Sequence, residues 1–254
     1  MTLLDIFVGG IAGLIAGGIN TLAGNGSALT LAVLMEFFGL PSNIANATNR
    51  IGVLAQTTAS TYGFYRSKKL SIQGNQRLLI CTILGSFLGI YLAVIISAEG
   101  FKTVYKYLLV LMLFILFIKP KRWINPSEDS EAKKLPLWLS TIFYILLGVY
   151  GGFIQMGMGI FALAIFVLIG KMNIIKANIL KSFIIAVYTL IAVAIFAYKD
   201  LIHWPFGLAL AFGQMIGGYY TAQFASRSPK ASQIAYILLI ICVIAAIVKV
   251  FNFI

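Results

Sequence analysis

Two uncharged runs constrain the fold of this chain more than any other feature. Ile6 to Met35 and Leu135 to Gly170 contain no Asp, Glu, Lys or Arg over 30 and 36 residues. As straight helices they would measure roughly 45 and 54 Å, against a bilayer hydrocarbon core of about 30 Å. Each is therefore expected to break and fold back. A glycine cluster marks the place in both: Gly24, Asn25 and Gly26 in the first, Gly157, Met158 and Gly159 in the second. Glycine permits a tight reversal and lets backbone approach a neighbour or a solute closely. The asparagines and Ser27 are expected to satisfy backbone groups that the break leaves unpaired.

The runs do not stand alone. The 254 residues are 61% hydrophobic and 10% charged, more apolar surface than one soluble core of that size buries. Further uncharged runs extend from Leu78 to Ala98, Tyr107 to Ile118, Leu201 to Ser226 and Ala231 to Val248, long enough for spanning helices or parts of them. Runs of this length exclude a barrel, whose strands would alternate every second residue. Asp5 stands where a signal peptide would carry its basic end, so the first run is expected to stay in the mature chain. The reading is a multi-pass protein of the cell (inner) membrane, with the lipid bilayer as its first partner.

A net charge of +12 raises the question of nucleic acid. The cations are spread over short loops between apolar runs rather than along one polar face, so they read as topology signals and no nucleic-acid partner is expected. Cys81 and Cys242 are single thiols within apolar runs, read as small buried hydrophobes. No metal site and no cofactor are expected: His203 is the lone histidine, beside Trp204, Pro205, Lys199 and Asp200, and reads as an interface anchor. The GxG clusters follow no strand and mark no nucleotide site.

The second long run repeats the first. After each glycine cluster comes an apolar half-helix, to Gly39 or Gly170, and then a polar helix start in which Ala45 and Asn46 correspond to Ala177 and Asn178. Further on, Gly85, Ser86, Gly89 and Tyr91 align with Gly213, Gln214, Gly217 and Tyr219. The expected fold is an all-α polytopic membrane protein with two halves. Each is a broken-helix hairpin, or two short helices, followed by three transmembrane helices, near 44 to 65, 76 to 97 and 104 to 118, then 177 to 198, 205 to 225 and 231 to 250. The first repeat covers 1–118, a cytoplasmic linker 119–136, and the second repeat 137–254. An odd number of net crossings inverts the second half, the sequence signature of many secondary transporters. This scheme gathers Arg66, Lys68, Lys69, Arg77, Lys119, Lys121, Arg122, Lys133, Lys134, Lys171, Arg227 and Lys230 on one side, leaving Asp5, Glu99, Lys102, Lys199 and Asp200 on the other. The positive-inside rule makes the first side cytoplasmic, with both termini outside.

In such a fold the polar residues of the breaks line a midplane site. The candidates are Asn20, Thr21, Gly24, Asn25, Gly26 and Ser27 from the first break, and Gln155, Gly157 and Gly159 from the second. The half-helices are expected to begin at Ser27 to Leu29 and at Ile160 to Ala162, their positive ends suiting an anion. Arg50 and Lys181 fall one position apart in the repeat alignment; either they hold the anion between the halves or they snorkel to the interface. Asn46, Asn49 and Asn178 line the site or cap and join helices. Gln56 and Gln214 face a cavity or another helix rather than lipid. The Gly-xxx-Gly spacings at Gly9, Gly13 and Gly17, Gly85 and Gly89, Gly148 and Gly152, and Gly213 and Gly217 read as helix packing. Glu36, near the end of a half-helix, reads as an interfacial carboxylate rather than a proton carrier.

The stretch "AGGINTLAGNGSALTL" from Ala16, followed by "GLPSNIANATNRIGVLAQ" from Gly39, resembles the first-repeat signature of the TauE/SafE family, the sulfite exporters and organosulfonate permeases. The resemblance covers essentially the whole chain. Met158 stands between the glycines of the second cluster, where the family more commonly carries glycine. What the resemblance implies is transport of a small sulfur-containing anion such as sulfite, thiosulfate or a short organosulfonate. Anion export down a potential negative inside is favourable by roughly 2.3 kcal/mol per 100 mV, so export is expected. An anion channel or an importer of another small solute is the alternative. An intramembrane enzyme would need paired acids, a histidine or a metal set that the spans lack, so no enzyme is expected. A homodimer is compatible with the sequence.

Overall fold

The computed structural model describes residues 2–67, 74–117, 136–166 and 174–228, with positions 170 and 172 and scattered ones between 230 and 248. Lys68, Lys69, Lys119, Lys121, Arg122, Lys133, Lys134, Lys171 and Cys242 lie outside the described residues, as do nearly all of the linker and most of the last expected span. The described helices are α1 (Leu3–Leu22), α2 (Gly26–Ala32), α3 (Ser42–Arg66), α4 (Gln76–Ile95), α5 (Ala98–Phe117), α6 (Leu137–Phe153), α7 (Met158–Ala164), α8 (Ile174–Tyr198) and α9 (Trp204–Arg227). No strand occurs among the described residues.

Both long runs break where the glycines predict. At the end of α1 the N–H groups of Ala23 and Gly24 bond to the Ile19 carbonyl at 2.8 and 3.2 Å, and Gly24 turns the chain at φ 82°. After α6, Ile154 is extended, and Gly157 turns the chain at φ 69°. The half-helices begin at Gly26 and Met158, earlier than the sequence suggested, because each glycine turn leads directly into helix. Each then passes into a π-type turn with matched bonds: Phe38 and Leu40 donate to Val33 and Leu34, Gly170 and Met172 to Ile165 and Phe166.

Helix starts at 26 and 158, and again at 42 and 174, share one displacement of 132 positions. The expected spans need one clear correction. The third span is expected near 104 to 118, yet α5 starts at Ala98, because Ser97 Oγ accepts the Gly100 N–H at 3.1 Å as an N-cap and Glu99 suits the positive end of a helix.

Glycines set how the halves interlock. A Cβ at Gly13 or Gly17 would overlap the carbonyl of Leu210 or Gln214 in α9, and one at Gly213 or Gly217 would overlap that of Gly10 or Leu14 in α1. The same contact recurs between α4 and α6: Gly85 and Gly89 face the carbonyls of Ile145 and Val149, and Gly148 and Gly152 those of Thr82 and Ser86. Small residues at helix spacing thus bring the backbones together without a hydrophobic driving force. Numbers rise together in both pairs, so α1 runs parallel to α9 and α4 to α6. Near one end of α3, Arg50 lies 5.9 Å from the Phe196 ring of α8, while Phe64 near the other end clusters with Ile179, so α3 and α8 run antiparallel.

The polarity is inside-out relative to a soluble domain. Phe7, Ile11, Leu84, Leu88, Trp138, Leu146, Leu208 and Phe212 are exposed, whereas Thr48, Asn49, Arg50, Gln56, Thr57 and Ser60 of α3 are buried. Such an apolar exterior belongs in lipid. Glu36 is exposed within its π turn, as an interfacial carboxylate should be. His203 caps α9: its Nδ1 accepts the Phe206 N–H at 3.5 Å and its ring stacks on Phe206. Cys81 is only half-buried, a correction to its reading as a buried hydrophobe; its stretch of α4 borders the exposed Ile80 and Leu84.

Candidate functional site

The two breaks meet tip to tip. The Gly159 N–H donates to the Gly24 carbonyl at 3.1 Å, and a Cβ on either glycine would run into the backbone of the other.

Interrupting a helix orphans its last carbonyls, and side chains from the opposite half satisfy them. Lys181, on α8, donates from Nζ to the carbonyls of Asn20 and Thr21 at 3.1 Å each and to Asn178 Oδ1 at 2.6 Å. Arg50, on α3, donates from Nη1 to the Gly151 carbonyl at 2.7 Å and from Nη2 to that of Gly152 at 2.8 Å. Asn46 Nδ2 reaches the Phe153 carbonyl at 3.0 Å; from within α6 itself, Tyr150 Oη donates to the Met156 carbonyl at 2.6 Å. Each cation thus sits at the negative end of a half-helix, where a positive charge is favoured. Both are fully buried, 0% and 2% exposed, so neither snorkels to an interface. Among the described residues neither meets a carboxylate.

Those caps overturn one expectation. Asn25 and Ser27 do not repair the break: Asn25 occupies the N-cap of α2 without a side-chain capping bond, and both of its polar atoms and Ser27 Oγ lack partners although buried. Thr21 Oγ1 bonds within its own helix, to the Gly17 carbonyl at 2.9 Å. Asn20 instead bridges to α3, its Nδ2 donating to Gln56 Oε1 at 2.8 Å while Gln56 Nε2 donates to Thr21 Oγ1 at 2.7 Å. Gln56 is therefore helix-joining glue.

Around the tips the remaining side chains keep unused donors. Asn49 Oδ1 pairs with Thr30 Oγ1 at 2.6 Å, leaving Nδ2 unpartnered. Gln155 Oε1 accepts from Arg50 Nη1 at 2.7 Å and from Tyr188 Oη at 2.9 Å, leaving Nε2 unpartnered. Arg50 Nε and Gln214 Nε2 also have no partner, Gln214 lying against Gly52 of α3. Buried polar groups without partners are costly in any protein. Gly24, Gly157 and Gly159 shape the turns and the tip contact; Gly26 sits where a Cβ would strike the Ala16 carbonyl.

A sequence model of the family "Sulfite exporter TauE/SafE" matches residues 9–248. The chain belongs to the TauE/SafE family. Among curated relatives in this family, the probable membrane transporter protein ORF9 of a Sinorhizobium species is 24% identical over 239 residues, covering 94% of this chain and 89% of that protein. The probable membrane transporter protein YfcA of Escherichia coli is 25% identical over 204 residues, 80% of this chain and 74% of that one. A probable membrane transporter protein of Haemophilus influenzae is 26% identical over 219 residues, 86% and 84% respectively. No solved structure matches the chain significantly. Membership makes the chain a membrane transporter of the TauE/SafE type.

The sequence-derived polar side chains divide into two groups, with Arg50 in both. Asn25, Ser27, Asn49, Gln155 and Gln214 keep unused polar atoms. Asn20, Thr21, Gln56 and Lys181 hold helices together, and Arg50 does so with one N–H to spare. Tyr188 and Thr30 were missed. Both are buried and orient an amide of the cluster, and both sit in stretches where nothing but their polar atom distinguishes them from neighbours.

Proposed function

We propose that the chain is a secondary transporter of a small sulfur-containing anion, such as sulfite, thiosulfate or a short organosulfonate, working by alternating access around the meeting point of the two breaks. The observation that carries this is the set of buried, unpartnered N–H donors on Asn25, Asn49, Gln155 and the buried cation Arg50, with Lys181 a second buried cation. The breaks' α-helical segments are only seven residues each, so side chains rather than helix ends carry the reading. The repeats would be 1–118 and 137–254, joined by a cytoplasmic linker at 119–136, the second inverted. The antiparallel pairing of α3 with α8 and the crossed glycine contacts support that inversion. With Arg66, Arg77 and Arg227 at one end of the bundle, that end is the cytoplasmic one, and both termini lie outside the inner membrane. Export follows from the potential.

Flux tests the transport reading. Proteoliposomes should move sulfite with a saturable rate that is lost in Gln155→Leu; conductance without saturation would favour a channel, and no movement of any sulfur anion would reject the assignment. For orientation, a cysteine at Thr2 should react with an impermeant reagent in intact cells and one at Ser228 should not; the reverse pattern inverts the topology.

A further inference from the structure

Gln155 is the one polar side chain between Phe153 and Ile160. Its orientation is set by chemistry: a guanidinium carries donors only, so the Gln155 atom facing Arg50 Nη1 at 2.7 Å is the oxygen. Tyr188 Oη donates to the same oxygen at 2.9 Å. Both lone pairs of Oε1 are thereby used. Nε2 is left as a donor without a partner in a side chain only 1% exposed. A free amide offers either end to a solute; this one offers N–H alone, because flipping it would set its NH2 against the guanidinium.

The surroundings have the same polarity. Arg50 Nε is a further unpartnered donor, and neither Arg50 nor Lys181 is matched by a carboxylate among the described residues. The unpartnered Asn25 Oδ1 and Asn46 Oδ1 are neutral acceptors, which do not balance a positive charge in a buried site.

Resting on the anion reading above, we infer that Gln155 determines specificity by presenting a locked donor, so that the site takes anions that only accept hydrogen bonds and rejects zwitterions bearing an ammonium group. Tyr188 is a positioning residue, acting through the Gln155 carbonyl; Arg50 positions the same oxygen through Nη1 and keeps Nε as a donor of its own. The relevant solute is a fully ionised oxyanion or an alkanesulfonate without an amino group.

The test compares ethanesulfonate with 2-aminoethanesulfonate, two sulfonates of similar size, by calorimetry on the full chain in lipid nanodiscs, with sulfite in parallel. Wild type should favour ethanesulfonate by about 10-fold or more, the worth of one charge-assisted contact. Gln155→Glu pairs its carboxylate with Arg50, which should keep the melting temperature at or above wild type while weakening ethanesulfonate and sulfite by about 100-fold. Gln155→Met, which adds no charge, should weaken both by about 10-fold. Tyr188→Phe frees one lone pair of Oε1 and should narrow the preference between the two sulfonates, a ratio that a purely structural role would leave unmoved. Equal binding of the two sulfonates by wild type, or unchanged sulfite affinity in both Gln155 variants, overturns the inference while leaving anion transport standing. Binding of neither sulfonate nor sulfite overturns the anion reading itself, and this inference with it.

Discussion

The two helix breaks solve one backbone problem with different chemistry. At the first, Lys181 holds the carbonyls of Asn20 and Thr21; at the second, Arg50 holds those of Gly151 and Gly152, and Asn46 that of Phe153. At the common displacement of the repeat, Lys181 stands opposite Asn49, and Arg50 opposite Ser182. Each cation therefore reaches its target from a different helix face, yet both cap a helix of the other half. The polar load is also unequal. The first break contains Asn20, Thr21, Asn25 and Ser27, the second only Gln155 among Ile154, Met156 and Met158. The difference teaches that repairing the break does not need the polar residues within it: the second break is capped from outside, and the first is as well. What remains polar and unused at the first break, Asn25 and Ser27, is what the proposed solute reading draws on.

The largest expected effect tests the tip contact that the breaks share. Gly24→Ala puts a Cβ into the Gly159 backbone at a position with φ 82°, combining overpacking with a left-handed alanine, roughly 2 to 5 kcal/mol together. Gly159→Ala meets the overlap alone, so its loss should be smaller, about 1 to 3 kcal/mol. Thermal unfolding in detergent measures both, and equal losses would mean that the backbone turn at Gly24 is not the distinguishing strain.

Next come the two caps. Arg50→Met and Lys181→Met each leave buried carbonyls unpaired at the end of a half-helix, about 1 to 3 kcal/mol apiece, offset in part by removing a buried charge. Arg50→Met should in addition free the Gln155 amide and alter anion selectivity, whereas Lys181→Met should lower stability with selectivity retained. Matching selectivity in the two variants would erase the functional difference between the breaks.

Much of this architecture was legible in the sequence because it rests on local rules. Gly24 and Gly157 marked the reversals through the excess length of the runs, and the Gly-xxx-Gly spacings identified the helix crossings, which depend on helical period alone. The caps were not legible. That Arg50 reaches Gly151 and Lys181 reaches Asn20 depends on which half-helix end lies beside which side chain, and no local pattern encodes it. Asn25 misled for the opposite reason: its position invited a capping role, but its side chain accepts nothing from α2, where the Ala28 N–H bonds to the Asn25 backbone carbonyl instead. Tyr188 and Thr30 gave no signal, since one hydroxyl in an apolar or small-residue run looks like packing until its amide partner is placed.

Asn25 offers the most direct test of the central claim, that the polar residues of the breaks serve a solute rather than the helix. Asn25→Leu removes two buried polar atoms that bond to nothing among the described residues, so it should leave the melting temperature unchanged or raised. Sulfite isotherms on the folded variant should show binding weaker by about 1 to 3 kcal/mol, the worth of a hydrogen bond to a charged group. A lowered melting temperature with sulfite affinity equal to wild type would contradict the account, returning Asn25 to the repair of its own helix.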